Sequence, residues 1–188
     1  MAQNSIPRRA PATDRLLAAY LGARYQVCLD GRAWSVLEIG QPAPAALAEF
    51  LPATPCSLVT AWNPQSVTRS REANEAADAA LRAELDGLGV PVLRALASQA
   101  EDGFVPDFGR AGPRRDAPGP CPRQDWSEPG WLLGGLDTAA TDALARRYGQ
   151  AGILHWRQGE PVRLRMYRPP PAGHDRHRWV DWVPVRPA

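Results

Sequence analysis

With 188 residues, 22 basic side chains that are all arginine and 20 acidic ones, the chain is nearly balanced in charge, which argues against attachment to nucleic acid by bulk charge. Hydrophobic residues make up 44%, enough for one core, and the length suits a single domain. No apolar run is long enough to span a bilayer and the N-terminus lacks a signal-peptide core; Cys28, Cys56 and Cys121 show no zinc spacing, so a reducing, cytoplasmic setting without membrane contact is expected.

Residues 1–12 read as a disordered lead-in. Thr13 or Asp14 can cap a helix whose apolar stripe is Leu16, Leu17, Tyr20 and Leu21. "RYQVCL" and "AWSVLEI" read as strands joined at Asp30-Gly31, a strong hairpin signal. "PAPAALAEFL" at 42–51 reads as a short helix, and "CSLVTAW" from Cys56 as a central strand covered on both faces. The periodicity predicts a helix over 70–88, with Ala73, Ala77, Ala80, Leu81, Leu85 and Leu88 on its apolar side and Gly89 ending it. "VPVLRALA" at 90–97 is the next strand, and 98–123 a long mobile loop or lid. "GWLLGGL" resumes the sheet, Asp137 or Thr138 opens a helix closed by Gly149, and "AGILHW" and "VRLRMY" are two last strands. The Pro-rich tail 167–188 carries Trp179, Val180, Trp182 and Val183, which suggests that it docks. This order predicts an α/β domain over 13–166, a mixed-sheet sandwich with helices packed on the sheet.

The stretch "SLVTAWNPQSVTRSREANEAA" carries the candidate site. If it is a central strand followed by a helix, residues 62–69 lie at the strand's carboxyl end beside a helix N-terminus, where open sheets bind ligands and unpaired N–H groups favour an anion. Asn63, Ser66, Ser70 and Asn74 supply amides and hydroxyls, and Trp62 a flat ring for stacking. The same residues also suit purely local roles: Ser70 as an N-cap, Asn63-Pro64 as a turn, Asn74 as a brace. Glu128 stands just before a strand, between Trp126 and Trp131, and an apolar setting can raise its proton affinity for acid–base work; a solvated turn or an arginine partner is the alternative. Gln150 follows Gly149 in a tight connection where its amide can reach ligand or backbone. His155 suits a core imidazole. His174 and His177 have an HxxH spacing but no further ligands in view, so no metal site is expected.

"SLVTAWNPQS" with Asn74, "WSEPGWLLGGL" and "LARRYGQAGILHW" together resemble a bacterial family of small proteins of unknown function, common in proteobacteria, over about Tyr20 to Trp156. The resemblance implies a compact cytosolic α/β domain with no established activity. It sets the motif positions on Thr60, Ala61, Trp62, Asn63, Pro64, Ser66, Asn74, Glu128 and Gln150. The 98–123 stretch and the tail after Met166 look like additions, and Pro129 replaces a more permissive residue.

Two readings follow. In the first, a polar pocket built by the 62–70 loop, Glu128 and Gln150 binds a small polar or anionic, nucleotide-like molecule, with Glu128 as the proton-transfer group if hydrolysis or group transfer occurs; no cofactor is indicated. In the second, the long loop and the Trp- and Arg-rich tail contact a protein partner without catalysis.

Overall fold

The computed structural model describes residues 12–31, 33–52, 54–99, 127–173 and 177–184. The expected lead-in, most of the 98–123 loop, Cys121, Trp126, His174 and Asp175 therefore lie outside the described residues. The elements are α1 (Thr13–Gly22), β1 (Ala23–Cys28), β2 (Trp34–Leu37), α2 (Leu47–Phe50), β3 (Cys56–Val59), α3 (Arg71–Leu88), β4 (Val92–Gln99), β5 (Ser127–Gly134), α4 (Thr138–Arg147), β6 (Gly152–Trp156), β7 (Arg163–Met166) and β8 (Val180–Trp182). A 3₁₀ turn at Pro64–Ser66 stands between β3 and α3.

Local chemistry accounts for most of these boundaries. The Ser70 hydroxyl accepts from the Ala73 N–H and starts α3, Gly89 ends it at φ 66°, and Asp137 caps α4 through the Ala140 N–H. α1 departs from expectation, since Ala12 is its N-cap and neither Thr13 nor Asp14 caps with its side chain. α2 is shorter than the predicted 42–51 helix; Pro42 bridges Pro161 instead of joining a helix, and the helical turn starts only at Leu47.

The strands form one eight-stranded sheet in the order β2-β1-β4-β5-β3-β6-β7-β8. Every pair is antiparallel except β7 with β8. The sheet is therefore mixed because of the tail, whose Val180–Trp182 segment adds a parallel edge strand. Past β2, Gly40 N–H donates to the Val162 carbonyl and the Val162 N–H to the Gln41 carbonyl, each at 2.8 Å. These bonds join the chain after β2, at one end of the strand order, to the start of β7, next to last at the other, so the sheet curls around one set of side chains. The mixed sheet with helices was expected from the sequence; the curl was not.

Because strand side chains alternate, the curl divides the core in two. Inside lie Tyr25, Val27, Leu37, Leu58, Leu132, Leu154, Leu164 and Met166, packed with Leu16 and Leu17 of α1 and Leu47 of α2. Outside lie Val59, Trp131, Leu133 and Ile153, packed with Leu81 and Leu85 of α3 and Leu144 and Ala145 of α4. The buried stripe of α3 is rotated from the predicted one. Asn74, Leu81 and Leu85 are buried, whereas Leu88 is 48% exposed.

Leu81 has no solvent exposure. Leu81→Ala is expected to lower the unfolding free energy in urea by about 2–5 kcal/mol, whereas the exposed Leu88→Ala should change it by less than about 1 kcal/mol. Equal effects at the two positions would contradict the rotated stripe.

Candidate functional site

The chain leaving β3 is held in an unusual backbone. Asn63, Gln65 and Ser66 have φ of 45°, 56° and 56°, a left-handed conformation that L-residues other than Asn and Asp seldom adopt. Hydrogen bonds from three directions hold it. Asn63 donates its backbone N–H to Asn74 Oδ1 at 3.0 Å, while its own Oδ1 accepts from Asn74 Nδ2 at 2.9 Å and from the Arg69 N–H at 3.0 Å. Asn63 Nδ2 donates to Glu128 Oε1 at 2.8 Å. Farther along, Gln65 gives both its backbone N–H and its Nε2 to the Gly149 carbonyl, at 2.7 and 2.9 Å.

Two glycines allow the loop to come this close. A Cβ on Gly130 would stand 2.6 Å from the Val59 carbonyl oxygen, and one on Gly149 2.7 Å from Pro64 Cβ. Gly149 also has φ +66°, so it combines the turn after α4 with this approach. Beside Gly130, Thr60 Oγ1 donates to the Pro129 carbonyl at 2.7 Å and accepts from the Trp62 N–H at 3.0 Å.

Below the loop, between α1 and the inner face of the sheet, lies a cavity of about 370 Å³. Leu16, Leu58, Ala97 and Leu154 give it apolar walls; Tyr20, Thr60, Asn63, Ser66, Glu128 and Gln150 bring polar groups; Arg15, Ser66 and Thr68 are exposed polar members. Burial raises the Glu128 carboxyl above its ordinary value of 4.5, and the Asn63 hydrogen bond opposes that only in part. Tyr20 is also raised, first by burial and then by the nearby Glu128 charge, against the lowering effect of the Ser66 side chain and the Gly152 backbone. Tyr25 donates to the Tyr20 carbonyl at 2.8 Å and is raised by burial, then by Tyr20 and Glu128.

The acceptors on this wall are incompletely used. Asn63 is the hydrogen-bond partner of Glu128 through Oε1, and among the described residues Oε2 receives none. Gln150 is 4% exposed, lines the cavity, and its side-chain amide makes no hydrogen bond among the described residues.

The predicted residues thus divide. Asn63, Ser66, Glu128 and Gln150 line the cavity. Asn74 is 2% exposed and braces Asn63 from α3, Ser70 caps α3, and Trp62 is outside the lining, its indole N–H buried without a partner among the described residues. At the start of α3 Ser70 accepts from the Ala73 N–H, just ahead of it Asn63 accepts from the Arg69 N–H, and Thr68 is the lining residue closest to them in the chain. Two reasons given for the site also change. β3 is antiparallel to both neighbours, so the carboxyl-end rule for parallel strands does not place the site. Glu128 lies inside β5, and Trp131, three residues on, points to the opposite face, where Arg94 and Arg82 cover its ring at 4.4 and 4.7 Å and Asp78 accepts its N–H at 2.9 Å. Sequence reasoning missed Arg15, Tyr20 and Thr68 as cavity residues. Tyr20 carried a signal, a hydroxyl on an otherwise apolar helical stripe.

His155 shares bonds with Ser57 Oγ at 2.8 Å and Thr138 Oγ1 at 3.2 Å, and burial lowers its proton affinity, as a core imidazole requires. Among the described residues no three His, Cys, Asp or Glu side chains gather as metal ligands, and no helix is long and apolar enough to cross a membrane.

Residues 59–106 match the model of a family described as "Protein of unknown function (DUF3293)". The match supports a domain-of-unknown-function family, as the resemblance implied, and it takes in Asn63, Ser66, Ser70 and Asn74 but neither Glu128 nor Gln150. No curated protein and no solved structure matches the chain.

Asn74→Ala strips the partner from the Asn63 N–H and is expected to cost about 1–3 kcal/mol in urea unfolding. Gly149→Ala should destabilise as well, by at least about 1 kcal/mol, through strain at positive φ and the clash with Pro64. For Glu128 the expectation concerns pH. The folded state holds this proton more tightly, so its contribution to stability is present below the ordinary value of 4.5 and declines as pH rises from there through the raised folded value. Glu128→Gln has no such proton and keeps an acceptor for Asn63. Its stability relative to the natural protein should therefore increase as pH rises from the ordinary value of 4.5 through the raised folded value, read from unfolding curves. A difference that stays constant over that range would rule out burial as the controlling influence.

Proposed function

We propose that the protein binds a small ligand in the cavity between α1 and the inner face of the sheet, with Asn63, Glu128 and Gln150 as its polar contacts. The observation that carries this reading is the Gln150 amide, 4% exposed, lining the cavity, and without a hydrogen bond among the described residues. The Gln150 amide atoms open onto the cavity and are not sealed in the core, so a ligand that supplies both a donor and an acceptor can reach them. The cavity volume falls at the small end of ligand sites, which suits a single metabolite-sized molecule.

Glu128 is the group that would exchange a proton with such a ligand. Burial raises its proton affinity, which suits a carboxyl for acid–base work, and Asn63 holds one of its two oxygens. Hydrolysis or group transfer would use it as general acid or base, with Asn63 as a positioning residue. A second reading, a partner-binding surface on the tail, draws on Arg178, which is exposed and stacks over the Trp179 ring at 4.4 Å.

The test is a fragment screen by nuclear magnetic resonance on the full chain. Binding molecules should shift the Gln150 side-chain amide signals and lose at least about tenfold in affinity in both Gln150→Leu and Glu128→Gln. Hits that bind equally well to both variants, or a screen without hits at the cavity, would reject the proposal.

A further inference from the structure

Resting on that reading, we infer that the ligand is a molecule with two chemically distinct ends: a neutral planar amide edge held deep against Gln150 and Glu128, and an anionic group held at the rim by Arg15. The polar groups that line the cavity fix both halves of this description.

At the deep end, Gln150 presents a carbonyl and an NH₂ side by side, and Glu128 adds the oxygen that Asn63 leaves open. A carboxylate or phosphate there would meet the Glu128 carboxyl, and the cation whose charge reaches Tyr20, Arg168, is not one of the lining residues. An ammonium would suit Glu128 but offers only donors, so it would leave the Gln150 NH₂ without an acceptor. An amide edge has one donor next to one acceptor and satisfies both groups of Gln150. The apolar walls of Leu16, Leu58 and Leu154 then cover the uncharged body of the molecule.

At the rim, Arg15 is exposed, lines the cavity, and forms no ion pair or hydrogen bond among the described residues. It differs in this from Arg71, Arg82, Arg94, Arg163 and Arg165, each of which meets a carboxylate. A guanidinium at the mouth of a cavity whose interior carries an acid orients a guest, anion outward and neutral edge inward. Two kinds of molecule share this chemistry: a pyrimidine nucleotide, whose base supplies the amide edge, and an N-acylated amino acid with a side-chain carboxamide.

The experiment titrates the full chain with four probes by calorimetry: uridine 5′-monophosphate, uridine, N-acetylglutamine and its neutral methyl ester. The source that fits should bind, with its anionic form preferred over its neutral form by about tenfold, the worth of one charge-assisted hydrogen bond at an exposed site. Arg15→Gln should abolish that preference and leave the neutral form's affinity unchanged, while Gln150→Leu should weaken both forms. Inorganic phosphate alone should bind weakly and without dependence on Gln150. The inference is overturned if the neutral and anionic forms bind alike, if Arg15→Gln weakens both equally, or if none of the four probes binds. In this last case, screen hits that depend on Gln150 but lack an amide edge or an anion would overturn this inference alone, whereas no Gln150-dependent hit at all would remove the binding reading itself.

Discussion

The amide of Asn63 is the joint on which the site depends. The chain must pass from the end of β3 to the start of α3 while lying across the end of a curled sheet, and it does so through residues in a conformation that ordinary side chains resist. Asn tolerates that conformation, and its side chain then ties three elements together: α3 through Asn74, the loop itself through the Arg69 N–H, and β5 through Glu128. Remove any one of these and the left-handed backbone loses part of what holds it. The glycines at 130 and 149 belong to the same constraint, because the loop can only be tied this tightly if the strands and turn beneath it carry no Cβ in its way.

The two faces of the sheet are treated differently. On the outer face polar groups are matched. Arg165 and Tyr167 both bond Asp142, and although burial pulls that carboxyl upward these bonds hold it below the ordinary carboxylate range. Ser57, His155 and Thr138 form a closed chain, and the Trp131 ring lies between two arginines with its N–H on Asp78. Such closed sets rigidify a core. On the inner face, among the described residues, one Glu128 oxygen and the Gln150 amide receive no hydrogen bond, at the wall of a space large enough for a guest. The contrast between matched and unmatched buried groups separates the architecture from the candidate chemistry.

Parts of the site were legible because they rest on local chemistry. Asn63, Ser66, Glu128 and Gln150 stood out as polar residues at strand and helix ends, and all four line one cavity. Asn74 and Ser70 could be read either way, and their geometry is that of a brace and a cap. Asn74 sits seven residues before Leu81 on the buried stripe of α3, a placement that emerged only once the stripe proved rotated from the predicted one. Trp131 could not be placed beside Glu128, since a separation of three along a strand puts two side chains on opposite faces.

The sequence by itself determined the elements: helix caps, the Asp30-Gly31 hairpin, the α3 helix and its glycine stop follow from short-range sterics and hydrogen bonding. It also determined that the residues after β3 are polar where a simple reversal would not need them. Tertiary structure alone decided that β3 has antiparallel neighbours on both sides, that the chain after β2 meets the start of β7 at Gly40 and Val162, and that the tail becomes an edge strand. It also decided that Arg15 and Tyr20, more than forty positions ahead of Asn63 in the chain, share its cavity. The reason is that strand partnership and cavity walls are long-range contacts, set by which apolar faces can be buried together, and no local pattern encodes that choice.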